Sequence, residues 1–270
     1  MSVIFKPENH SYESLNSNEN IIWTSVTQFV GQFKPKFDPI SQSIKSSKNK
    51  KSKWFGIDPI KIQEIWAKEG NRANTAGTFY HDQRESDLLG LDTIQRMGVN
   101  IPIIKPIYEG DIKHAPEQRL VEGIYPEHFM YLKSTAICGQ SDRVEVIKDH
   151  IDIIDYKTNK KIDMHSFKNW EGVSEKMLGP CAHLDNCNYN HYSLQLSIYM
   201  YIILKHNPKL KPGKLILQHV IFEKAGEDEF GYPINKLDND KNPVVKEVVP
   251  YEVPYLRLEV RNMINYLLTK

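Results

Sequence analysis

Apolar and polar positions recur with readable periods along most of this chain, and those periods predict its elements. Residues 1 to about 23 read as a short hairpin: VIFKP, a polar turn through Asn16 to Asn20, then IIW. Thr24 and Ser25 supply an N-cap for a helix carrying Val26, Phe29, Val30 and Phe33, which Pro35 ends. Residues 41 to 53, SQSIKSSKNKKSK, hold five lysines and almost nothing apolar to order them. They predict a solvated, mobile loop, or a loop that contacts phosphates. Asp58-Pro59 starts a helix with Ile62, Ile65 and Trp66 on one face. A second helix runs from about Ala73 to Leu89.

From residue 118 the period shortens to two. RLVEGIY and TAICGQSDRVEVI read as strands joined by a turn near Pro126 to Lys133, and HIDIIDYK, 150–157, as a third strand. After a looser region from Lys160 to Tyr192, an apolar helix spans about Ser193 to Lys205. KLILQHVIFEK, 214–224, and VVKEVVPYEV are strands, and a last helix begins near Pro254. The sum is an α/β protein, a central mixed sheet flanked by helices. A hairpin and mostly helical lobe would occupy residues 1–115 and the core 116–270, with no internal repeat.

Composition narrows the function classes. The 270 residues are 40% hydrophobic and 26% charged, the mix of an ordinary globular enzyme. The longest apolar run, Ile198 to Leu204, falls far short of the roughly 18 to 20 residues a membrane helix needs. The segment MSVIFKPENHSYE has no basic stretch leading an apolar one, so no signal peptide is expected. It carries Glu8 and Glu13 and no Arg, unlike a mitochondrial presequence; a cytoplasmic location is the expectation. A net charge of +1 does not announce a nucleic-acid binder, so any such surface must come from local clustering. Three cysteines do not make a disulfide framework.

The chemistry concentrates in GQSDRVEVIKDHIDIIDYKT, 139–158. Residues two apart on a strand share a face, so Asp155 and Lys157 point together, and Asp142 can lie beside them across the hairpin. Two carboxylates suit a hard divalent cation, and a lysine beside them stabilises negative charge as a nucleophile attacks.

GQSDRV followed by IIDYKT resembles the core signature of the PD-(D/E)XK nucleases, and the surrounding motifs resemble the RecB-like branch. That branch includes phage exonucleases, CRISPR-adaptation exonucleases and the mitochondrial genome maintenance exonuclease. Its glycine-led helix with a metal-binding histidine is matched by GTFYH, giving His81; its first-strand glutamate by RLVEGIY, giving Glu122; and its Gln-x-x-x-Tyr helix by QLSIY, giving Gln195 and Tyr199. The resemblance spans about residues 73–204. It implies a restriction-endonuclease-like core, with Mg²⁺ or Mn²⁺ held by Asp142, Asp155, the Tyr156 carbonyl and His81. Lys157 would assist attack, Glu122 would bind or orient water, and Gln195 and Tyr199 would position the site or the DNA backbone. Glu122 is otherwise an ordinary polar strand residue, and Gln195 and Tyr199 an ordinary helix–sheet hydrogen-bond pair. Glu85, one turn after His81, is either its partner or a surface acid, with the surface favoured.

The implied activity is metal-dependent hydrolysis of DNA, exonucleolytic, on single-stranded or linear ends, with a recombination or replication protein as partner and no membrane. The cell would be bacterial or phage-infected. The alternatives are a structure-specific endonuclease and a non-catalytic DNA-binding subunit. Phe79, Tyr80 and Trp170 would either stack on unpaired bases or pack. Some members of the branch hold an iron–sulfur cluster on four cysteines; three cysteines here rule that out within one chain. Cys181, His183, Cys187 and His191 offer zinc-type ligands, but their spacing is not a standard knuckle, and an irregular loop is the preferred reading.

Overall fold

The structure, a computed structural model, describes residues 3–9, 11–16, 20–96, 98–168 and 171–269. Strands β1 (Val3–Lys6) and β2 (Ser11–Ser14) form an antiparallel hairpin. It turns at Pro7–Asn9 and not at Asn16–Asn20, and residues 17–19 lie outside the described part. The IIW segment is not its second strand. Only Thr24–Ser25 pairs, as β3. Ser25 caps helix α1 (Val26–Gly31) through a capping box with Gln28.

Residues 41–48 of the lysine-rich segment are helical, a correction to the expected loop. Asp38 caps α2 (Pro39–Lys48) at two amides, and Ser43 is buried against the next helix, where Gln63 donates to its hydroxyl. The two helices expected over 58–89 are one, α3 (Pro59–Leu89), 31 residues capped by Asp58. Gly70 costs about 1 kcal/mol inside a helix, and burial of Ile62, Ala76, Tyr80 and Leu88 along one side outweighs it. Four short strands follow: β4 (Thr93–Arg96), β5 (Val99–Pro102), β6 (Ile107–Glu109) and β7 (Ile112–His114). Strand β7 joins β6 to β1, making a four-stranded sheet in the order β2-β1-β7-β6.

The second sheet is mixed and carries the core. Its strands are β8 (Gly123–Leu132), β9 (Ile137–Ile147), β10 (His150–Lys157), β11 (Lys211–Phe222) and β14 (Val245–Val253), with β3 attached to β9; β12 (Lys224–Glu227) and β13 (Pro233–Asn235) form a hairpin apart. Strand β10 runs antiparallel to β9 and parallel to β11. The parallel crossover is helix α4 (Asn188–His206); helix α5 (Arg257–Leu268) ends the chain. Helices α1, α4 and α5 share one core with the strands, built on Val26, Phe29, Leu194, Ile198, Val260 and Met263 against Val144, Ile153 and Leu217. Helix α3 covers other side chains of the same sheet, where Tyr80 meets Ile154, Tyr156 and Val220. Segment 1–115 therefore holds strands as well as helices, and α1 packs in the main core. Among the described residues no helix is long and apolar enough to cross a membrane.

The expected turn at Pro126–Lys133 is not a turn. Strand β8 runs through it, and the chain reverses at Lys133–Ala136, with Ala136 left-handed. Proline nevertheless disturbs the strand. Glu127 has φ +44° and is skipped in the ladder between the pairs Pro126–Arg143 and His128–Ser141. The alternation slips there by one residue. Tyr125 before it and Met130 after it both reach the main core, as do Ile137 and Val144 on the partner strand. The position opposite Glu127 is Asp142.

Candidate active site

The site forms where the main sheet splits. The β9–β10 ladder ends at the pair Arg143–Ile154. Beyond it, β10 continues beside β11 alone, with Asp155, Tyr156 and Lys157 opposite Leu217, Gln218 and His219. The Tyr156 N–H, freed from the ladder, donates to Asp142 Oδ2 at 2.5 Å. The split opens a cleft of about 820 Å³ between the strand ends, α3 and the N-terminal sheet. His81, Glu127, Lys157, Lys113 of β7 and Glu85 line it.

His81 comes from α3, the opposite side of the sheet from α4. Its Nδ1 lies 3.2 Å from Asp142 Oδ1. One ligand atom each from His81, Glu127 and Asp142 lie within 4.8 Å of one another, and among the described residues no other set of His, Cys, Asp and Glu does so. Close approach of α3 to β10 makes this reach possible: a Cβ at Gly77 would sit 3.0 Å from Thr158 Oγ1. On the other side, α4 presses on β9 at Gly139, where a Cβ would lie 2.9 Å from the Tyr199 ring.

Charges in the cleft are strongly coupled. Burial alone would raise the Asp142 carboxyl, but His81 and Lys157 hold it below the usual range. Burial would lower His81, yet the carboxylates of Asp142, Asp155 and Glu127 lift it to about 9. Burial, with Asp142 as a like-charged neighbour, pushes Glu127 up to about 8. Asp155 is only 1% exposed, and burial raises it to about 6 against the pull of Lys157. The Asp155 Oδ2 and Lys157 Nζ form an ion pair, and the ammonium stands 4.9 Å from the Tyr192 ring centre. Burial opposes the charge on Lys157, but Asp155 and Asp142 outweigh it and hold the ammonium above its ordinary value.

The sequence-predicted residues divide clearly. His81 and Lys157 line the cleft, with Asp142 paired to His81 and Asp155 to Lys157 behind them. Asp155 stands apart from the group of three ligand atoms and faces Lys157 instead. The backbone of Tyr156 touches the site through its N–H. Gln195 Nε2 donates to the Tyr199 hydroxyl at 3.0 Å; Tyr199 is buried beside the site, with Asp155 among the charges acting on it. Glu122 is a correction. It is exposed, and it accepts from the Lys148 N–H at the β9–β10 turn, the far end of the hairpin. Glu85 is also a correction, because it is half-buried in the cleft and accepts from the Tyr108 hydroxyl at 3.1 Å. Tyr80 packs edge-on against Tyr156, Phe79 is half-buried, and Trp170 lies outside the described residues. Cys181 and Cys187 are buried, His183 pairs with Glu259 at 3.2 Å, and His191 meets Asn186 at 2.8 Å.

Two residues were missed. Glu127 takes the place expected of Glu122, five residues earlier; Pro126 inside a strand was its signal. Lys113 is 3% exposed and faces the cleft, with no hydrogen bond or ion pair among the described residues; Glu127, Glu85 and Asp142 are the charges that act on it. No family model, curated protein or solved structure matches this chain.

The donor set of one imidazole and two carboxylates fits a divalent cation. Carboxylate oxygens suit Mg²⁺ and Mn²⁺, and a nitrogen ligand shifts preference toward Mn²⁺. Glu127, pushed up to about 8 by burial and by Asp142, points the same way, because a cation would offset that repulsion.

Proposed function

We propose that this chain is a divalent-metal-dependent DNA nuclease on a restriction-endonuclease-like core. The observation that carries the reading is the convergence, at the wall of one cleft, of His81, Glu127 and Asp142 with Lys157, which Asp155 pairs from behind. The resemblance of GQSDRV, IIDYKT and GTFYH to the RecB-like signature supports it from the sequence side.

His81, Glu127 and Asp142 would hold a divalent cation, which would supply Lewis acidity toward a phosphoryl oxygen and toward water. The protein's own residues do the rest. Asp155 aims Lys157 and keeps it charged. The Lys157 ammonium then donates to a phosphoryl oxygen and offsets negative charge as the water attacks. Asp142 fixes the end of β10 through the Tyr156 N–H, so ligand and lysine are held in one frame. Gln195 and Tyr199 act as positioning residues on the α4 side. Exonuclease action on single-stranded or linear ends, a recombination or replication partner and a cytoplasmic setting in a bacterial or phage-infected cell follow from the resemblance.

The test is cleavage of end-labelled single-stranded, duplex and circular DNA with Mn²⁺ or Mg²⁺, wild type beside Lys157→Ala. Linear DNA is degraded and circles are spared, and the folded variant is slower by about 10²- to 10³-fold. Cutting of circles moves a structure-specific endonuclease ahead. Binding without cutting favours a non-catalytic subunit, and cleavage that persists in a chelator overturns the metal mechanism.

A further inference from the structure

A second large groove, about 690 Å³, lies at the other end of the sheet, between the last turns of α4, the start of β11 and helix α5. Pro212, in its wall, pairs with Ile151, whereas Lys157 at the cleft pairs with His219. Six residues of β10 separate the two levels, roughly 20 Å at about 3.3 Å per residue. The groove is therefore distinct from the cleft.

Its chemistry is one-sided. The charged side chains that line it are Lys205, Arg257 and Arg261, with no carboxylate among the lining residues. Among the described residues none of these three cations has a carboxylate partner. Arg257, Arg261 and Asn265 are each four apart on α5, so they form one stripe along its side. Tyr201 and Lys205 make the facing stripe on α4, the ammonium 5.2 Å from the ring centre. Tyr255 completes the wall. Arg257 opens α5, where the positive end of the helix already disfavours a cation. Glu259 offsets part of that, but it pairs with His183 and lines no part of the groove. Cations repeated one helical turn apart beside tyrosine faces match a strand of phosphates and bases.

We propose that this groove binds the phosphate backbone of a single nucleic-acid strand, holding it at the end of the sheet away from the cleft. The identity of the polyanion rests on the nuclease reading; the groove's preference for repeated phosphate does not.

The test is fluorescence anisotropy of a long labelled oligothymidylate in chelator, so that binding is read without cleavage. The proteins are wild type, Arg257→Glu with Arg261→Glu, and separately Lys205→Glu on the other wall. The double variant should bind at least about ten-fold more weakly, and its salt slope should fall by about 1.4, at about 0.7 per single-strand contact. Lys205→Glu should show half that fall, and it stands as the test if the α5 variant does not fold. Unchanged affinity and slope in folded variants overturn the proposal. So does displacement of the strand by inorganic phosphate or a mononucleotide at equal phosphate concentration, which would make the groove a small-anion site. Lys157→Ala separates the two readings: it should retain groove binding while losing cleavage. If wild type cuts no DNA yet the groove variants lose binding, the nuclease reading fails and this one stands.

Discussion

Two buried charge clusters sit three residues apart on strand β9, and they are built to opposite ends. Glu145, 5% exposed, lies between Arg143 and Arg96, the latter at 3.2 Å. One acid faces two guanidiniums, and that of Arg96 also bonds β4 to the main sheet. Asp142 sits instead with Glu127, Asp155, His81 and Lys157, where acids outnumber bases and a cleft gives solvent access. Both clusters bear the cost of burying charge. In the first the buried acid is matched by guanidiniums within the chain, so it serves structure. In the second, burial and the repulsion of Asp142 push Glu127 up to about 8.

Breaking the matched cluster should have the largest effect. Glu145→Ala leaves two arginines without their acid and should cost about 3–5 kcal/mol in denaturant unfolding, with Mn²⁺ affinity unchanged. A loss below about 1 kcal/mol would erase the contrast between the clusters. Glu127→Gln should do the reverse. Mn²⁺ affinity by calorimetry should fall by at least about 100-fold, more than loss of an outer-sphere partner costs, while the melting temperature holds or rises. A variant that binds Mn²⁺ normally would remove Glu127 from the donor set.

The pH dependence sharpens the same contrast. Glu127 is raised by folding to about 8, so the folded state favours its protonated form. Its contribution is present below about 4.5 and is lost as pH rises toward 8. His81, raised to about 9, contributes below about 6.5 and loses that as pH rises through 9. Metal-free protein should therefore melt at lower temperature from pH 5 to pH 9, and Glu127→Gln should flatten that fall. Added Mn²⁺ should stabilise more at pH 9 than at pH 6, because its ligands must lose protons. A metal effect independent of pH would contradict the assignment. A smaller effect is expected at Gly139→Ala, where the new methyl meets Tyr199: about 1–3 kcal/mol of stability, with Mn²⁺ affinity within a few-fold.

The elements around the site were legible where a regular period runs. IDII before Asp155, the SDRVEV alternation and the apolar α4 marked three elements within a few residues. Asp142, Asp155 and Lys157 could be read as neighbours because β10 is a regular strand. The reading failed at the phase slip. Glu122 came from the resemblance alone, whereas the left-handed Glu127 shifts the alternation by one residue, and no periodicity reports that. Lys113 was illegible because β7 is three residues long and reaches the cleft through a second sheet. Helix α2 was obscured by its lysines, which face solvent while Ser43 and the Asp38 cap hold it in place.

The parallel pairing of β10 with β11 also sets a condition on synthesis. His150 must wait for Lys211, 61 residues later (211 − 150), before its second edge is covered. At about 5–20 residues per second, that is roughly 3 to 12 s during which an isoleucine-rich strand is exposed at the ribosome. The same strand carries Asp152 and Asp155, negative charges that oppose edge-to-edge pairing between nascent chains. Asp152 is reused once the partner arrives, accepting from the Lys214 N–H at 2.6 Å. The acids that equip the folded protein thus also guard the unfinished one against aggregation.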